Sequence, residues 1–182
     1  MDLSNLKYHE RSEKLVEILC SKTQNNDPRF FRIMVAYFAG VLASNMHVTV
    51  TGFGANKIPI NVYAVNLSPS GTGKGMSTSF VERSILPVYK QVLLEDTMPT
   101  HAEMNIANIA DRRALRKGTV AELDELPKLG KEYDSLGSFL FSFDSATTPA
   151  VKQLRHLILI GGSGSLNLQI DEIGANLLSQ SE

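Results

Sequence analysis

The chain has 182 residues, 43% of them hydrophobic and 20% charged, which suits one domain with a packed core, or one domain with a small helical cap. A net charge of -1 excludes an overall basic surface, so any contact with DNA would need a local patch, a pore loop or a partner. The single cysteine, Cys20, excludes an internal disulfide.

The first twenty residues are charged rather than apolar, unlike a signal peptide, and the longest apolar run, Ile33 to Ser44, is too short to span a bilayer. The expected setting is a reducing cytoplasm, that of the host cell if the chain is phage-encoded, with no membrane contact. Leu6 to Cys20 has apolar positions at helical spacing, and Cys20 reads there as a small core residue. Asn25-Asn26-Asp27-Pro28 reads as a turn with an N-cap and a proline at the first helical position. The helix that follows, Arg29 to Asn45, is apolar on most sides and is expected to be deeply buried.

His47 to Thr51 is β-branched and alternating, Gly52 to Lys57 is a turn, and Ile58 to Leu67 is a second β-rich run. The run leads into a glycine-rich turn, and Met76 to Leu94 reads as a helix interrupted or ended near Pro87. Ala102 to Arg116 reads as a helix, and Ala121 to Lys131 as a surface helix or a loop. Phe139 to Phe143 alternates like a strand and ends at Asp144. Pro149 to Ile160 reads as a helix stopped by Gly161 to Ser165, and Leu166 to Ile170 as a last short strand ending at Asp171-Glu172. Strands alternating with helices predict an α/β fold with a largely parallel sheet, whose ligands sit at the carboxyl ends of the strands.

Two motifs fall at such ends. Ser68-Pro69-Ser70-Gly71-Thr72-Gly73-Lys74 follows the P-loop pattern of a strand, a glycine-rich turn and a helix. Glycines there permit inward-pointing backbone N–H groups, the helix start favours phosphate, and Lys74 reaches the β- and γ-phosphates. The candidate nucleotide-binding residues are Ser70, Gly71, Thr72, Gly73, Lys74, Gly75 and Met76. Ser68 stands where the pattern has its first glycine, and Gly75 where it has the Ser or Thr that binds Mg²⁺. Ser77 or Thr78 takes that role only if the helix start is shifted. Leu166 to Glu172 resembles a Walker B strand, with Asp171 holding Mg²⁺ through water and Glu172 orienting the attacking water. The same pair also suits the N-terminus of a helix over Ile173 to Ser179. Asp144 suits a metal or nucleotide contact, or the cap of the next helix. His101 and His156 have no metal-ligand spacing. Arg112, Arg113, Arg116 and Lys117 form a basic cluster that reads as a solvated face or a DNA contact.

Together, Ile60-Asn61-Val62-Tyr63 through Lys74, Phe143-Asp144-Ser145-Ala146-Thr147, and Ile170-Asp171-Glu172-Ile173-Gly174 resemble the RecA-like P-loop ATPase domain of phage and mobile-element primase–helicase proteins, over about residues 30–180. The resemblance implies a P-loop NTPase core over residues 47–182, behind a helical segment over residues 1–46. It implies ATP and Mg²⁺ as cofactors, with Lys74 as the Walker A lysine, Asp171 as the Walker B aspartate and Glu172 as the catalytic glutamate. DNA, further copies of the chain and the remainder of a longer replication protein are the implied partners. RecA-like cores have further strands after Walker B, so the resemblance implies a core incomplete at its C-terminus. Expected functions are therefore the ATP-binding part of a DNA-replication helicase, a nucleotide-binding module without turnover, or a small-molecule P-loop kinase using Arg112, Arg113 and Arg116.

Overall fold

The computed structural model describes residues 7–66 and 71–170. They divide into two compact units: Met1–Ala43 with Thr49–Pro87, and Ser44–Val48 with Val88–Glu182. Among the described residues no helix is long and apolar enough to cross a membrane.

In the first unit, α1 spans Glu10–Lys22 and α2 begins at Pro28 and runs to Asn45. The Asp27 carboxylate accepts the Arg29 backbone N–H at 2.9 Å, so the expected turn and cap are present. α2 does not bury all its sides. Phe30, Phe31, Met34, Phe38 and Val41 face inward at helical spacing, while Ile33 is 40% exposed. Cys20 is half-buried, and burial raises its thiol pKa above the ordinary value.

The parallel sheet expected from the sequence is absent from the described residues, and the chain is mostly helical. The only sheet among them pairs β1 (Thr49–Thr51) antiparallel with β2 (Lys57–Pro59), through a turn in which Gly54 has φ 80. Both strands are exposed on both faces. β2 stops at Pro59, which lacks the N–H a ladder requires. Residues 60–66 continue without regular structure, although they are rich in β-branched side chains. Such residues suit a half-buried pleated surface, and among the described residues no neighbouring strand supplies one. Instead this segment lies on α2. A β-carbon at Gly40 would collide with Val62, and the Asn66 side-chain amide donates to the Phe30 carbonyl at 3.3 Å.

α3 covers Lys74–Ser84 and ends in bonds from Ile85 and Leu86 N–H to the Val81 carbonyl. The expected long helix is thus broken before Pro87, where α4 (Pro87–Val92) begins.

The second unit is built on α5 (Met98–Lys117), α6 (Leu126–Ser135) and α7 (Thr148–Gly161). Single π-helical turns, Leu93–Thr97 and Ala121–Glu125, precede α5 and α6. Each is followed within two residues by a proline, Pro99 or Pro127. Proline cannot donate to the carbonyl four residues back and crowds it, which a widened turn relieves. α5 buries Met98, Ala102, Ile106, Ala110 and Ala114, one every fourth residue. Of these, Ala102, Ile106 and Ala110 share a common core with Leu129 and Ile160. Asn105 closes the end of α7 by donating to the Ile160 carbonyl at 2.8 Å. The strands expected at 139–143 and 166–170 shrink to one parallel bridge, Phe143 with Leu168.

Candidate functional site

In the first unit the turn before α3 holds the described part of the phosphate motif. Gly71 and Gly73 have φ 81 and 75, in the left-handed region. A β-carbon at Gly71 would meet nothing within 4 Å, and one at Gly73 would make only ordinary contact with Gln24. Conformation, rather than crowding, is therefore what calls for glycine at both positions. Gly73 is the N-cap of α3, and its carbonyl accepts the Ser77 N–H at 2.9 Å. As a glycine it offers no side chain to the first-turn N–H groups, and that turn contains no acidic residue. The start of α3 thus presents helix-end amides and a partly exposed Lys74, with no acidic residue in the first turn of the helix. Thr72 and Gly75 are partly exposed and Met76 is exposed beside them. Ser70 lies outside the described residues.

Gln24, in the turn between α1 and α2, is the neighbour that sequence reading missed. Its Cβ lies 3.7 Å from the position of a Gly73 β-carbon. Nothing in residue spacing links positions 24 and 73, because the contact is tertiary.

The magnesium side fits less well. Ser77 is fully buried and its Oγ has no hydrogen-bond partner among the described residues. The Thr78 hydroxyl donates to the Lys74 carbonyl at 3.2 Å, within the helix. Neither hydroxyl is presented at the helix start, where Gly75 stands in place of one. Mg²⁺ demands close, near-octahedral oxygen ligands, so a sealed hydroxyl joins it only if α3 rearranges. Among the described residues no group of three or more His, Cys, Asp or Glu side chains could hold a metal ion. Asp171 and Glu172 lie outside the described residues.

In the second unit the chain leading toward the acidic pair is held by polar contacts. Phe143 N–H donates to the Asn167 carbonyl at 3.0 Å, and Gln169 N–H to the Phe143 carbonyl at 2.9 Å. The Asn167 side chain is buried, where it donates to the Phe141 carbonyl at 2.8 Å. Ser165 Oγ lies 2.9 Å from the side-chain oxygens of both Asn45 and Asn167, either of which can accept its single hydroxyl proton. Leu166 and Leu168, by contrast, are 43% and 53% exposed, so the apolar and polar faces of this segment are inverted relative to an apolar Walker B strand. Asp144 is exposed and accepts the Ser145 hydroxyl at 3.2 Å. The cap of α7 is Thr147, whose hydroxyl accepts the Ala150 N–H.

The basic cluster is partly committed. Arg113 lies 3.5 Å from Glu132, and Lys117 lies 2.9 Å from the buried Glu125. His156 Nε2 meets Glu132 at 2.8 Å, which gives that histidine a structural partner. His101 is partly buried on α5.

No protein-family model, curated protein or solved structure matches the chain.

Proposed function

We propose that the turn before α3 binds the polyphosphate of a nucleotide, ATP by the resemblance of its motif, as the nucleotide-binding part of a DNA-replication ATPase. The observation that carries this reading is the pair of left-handed glycines, Gly71 and Gly73, immediately ahead of a helix whose first residue is Lys74. This arrangement gathers backbone amides, a helix dipole and a cation at one point, and all three favour a multiply charged phosphate. Lys74 supplies the mobile charge, and Gly71 to Gly75 supply the cradle. The test is ATP titration of the wild-type chain against Lys74→Ala. Affinity is expected to fall about 10–100-fold, as for a lost charged hydrogen bond. An unchanged affinity ends the reading.

A second reading, binding without turnover, is favoured by the placement of Ser77. With that hydroxyl enclosed and Gly75 at the position beside Lys74, the helix start offers phosphate contacts but no ready magnesium ligand. ATP hydrolysis that disappears in Glu172→Gln would reject this second reading.

A further inference from the structure

We infer that Gln24, in the turn between α1 and α2, is a phosphate-binding residue of the same site, an inference that rests on the nucleotide reading above. The turn holds this side chain in place by its own bonds. Thr23 N–H returns to the Leu19 carbonyl at 3.2 Å and closes α1. The Asn25 side-chain oxygen accepts the Asp27 N–H at 2.9 Å. Asp27, the only acidic residue between the two helices, accepts the Arg29 N–H at 2.9 Å and pairs with the Arg29 guanidinium at 3.2 Å. Asn25 and Asp27 thus spend their side chains on the turn itself. Gln24 is exposed and makes no hydrogen bond among the described residues.

This uncommitted carboxamide lies beside the glycine turn. Gln24 Cβ is 3.7 Å, and its Oε1 3.9 Å, from where a Gly73 β-carbon would stand. Both ends of the side chain are therefore next to the N-cap of α3, one residue before Lys74. A half-turn of the carboxamide puts its NH2, with two donors, where the oxygen stands. An oxyanion seated on the first amides of α3 then meets a neutral donor as well as a cation. The amides and Lys74 belong to one stretch of chain, whereas Gln24 comes from another, so it gives the cradle a second wall. The one carboxylate near Gln24 in sequence is paired with Arg29, which lessens its repulsion of an anion at this place.

Calorimetric titration of the whole chain with inorganic tripolyphosphate, and separately with ATP, tests this. Gln24→Ala should weaken both ligands about 3–10-fold, as for one lost hydrogen bond. Gln24→Glu, which keeps the shape but sets a carboxylate against the phosphates, should weaken both further. Gln24→Lys, which restores a donor and adds a cation, should bind at least as tightly as wild type. The Gln24 side-chain NH2 signal in a ¹⁵N–¹H spectrum, identified by its loss in Gln24→Ala, should shift saturably as tripolyphosphate is added. Position 24 is exposed, so circular dichroism spectra of the three variants should match wild type. Wild-type affinity in Gln24→Ala, with affinity still lost in Lys74→Ala, overturns this inference and leaves the nucleotide reading standing. A loss for ATP alone, with tripolyphosphate unaffected, overturns it in favour of a contact to the nucleoside. A wild-type chain that binds neither ligand overturns both.

Discussion

The ammonium of Lys117 lies 2.9 Å from Oε1 and 3.0 Å from Oε2 of Glu125, whose side chain is only 2% exposed. A carboxylate so enclosed depends on its partner, because an unpaired buried charge is costly. Lys117→Met should destabilise the chain by roughly 1–3 kcal/mol, the range for a lost charge-assisted hydrogen bond to a buried group. The combined change Lys117→Met with Glu125→Met should cost less than the single one. Urea denaturation of the three proteins measures this, and equal losses in single and double variants would show that the pair is not coupled.

Gly40 and Val62 make a second testable contact. In an ordinary exposed helix position, Gly→Ala is stabilising by roughly 0.5–1 kcal/mol. Here the added methyl collides with Val62, so Gly40→Ala should instead destabilise by about 1–3 kcal/mol, as overpacking does. Adding Val62→Ala should recover much of that loss. A thermal melt showing Gly40→Ala more stable than wild type would mean that residues 60–66 do not rest on α2.

Glu132 gives the fold a modest acid dependence. Its hydrogen bond from His156 holds the carboxyl below its ordinary pKa, burial opposes this, and Arg113 adds to the lowering. A carboxylate whose pKa is lower in the folded state stabilises above its unfolded value, about 4.3, and that contribution is lost as pH falls through the folded value. The side chain is 37% exposed, so the effect should stay below about 1 kcal/mol. Glu132→Gln should be less stable than wild type at pH 7, with the gap closing in acid. Denaturation midpoints across this range report it, and a gap that widens in acid would contradict the assignment.

Gly71→Ala and Gly73→Ala test the cradle separately from Lys74. With no steric conflict at either site, each change should cost about 1–2 kcal/mol from the left-handed backbone alone, or reshape the turn. ATP affinity should fall in both, measured by calorimetry at a temperature where each variant remains folded. Full affinity in both variants would show that the turn's conformation is irrelevant to binding.

The helices were the most legible part of the sequence. Pro28 behind Asp27 marks the start of α2, and Pro149 that of α7, because caps and prolines act locally, although α7 is capped by Thr147 and not by Asp144. The segment around Ala121–Lys131, left open between helix and loop, is helical because Glu125 and Leu129 turn inward against α5. The strands are far less legible. Val62, Tyr63 and Val65 have β-forming side chains, yet pairing depends on a neighbour that composition does not contain, and the parallel order inferred from alternation fails with it. At the site, the positive-φ glycines and the helix start after Gly73 follow from the local motif. The burial of Ser77 does not, nor does the approach of Gln24 to Gly73, which joins distant segments.

The most direct measurement is a ¹⁵N–¹H spectrum of the chain recorded as inorganic tripolyphosphate is added without magnesium. Saturable shifts of the Gly71, Thr72, Gly73, Lys74 and Gly75 amides, absent in Lys74→Ala, are the expected result. Amides at these positions that do not move while phosphate saturates, or that move identically in Lys74→Ala, would contradict it.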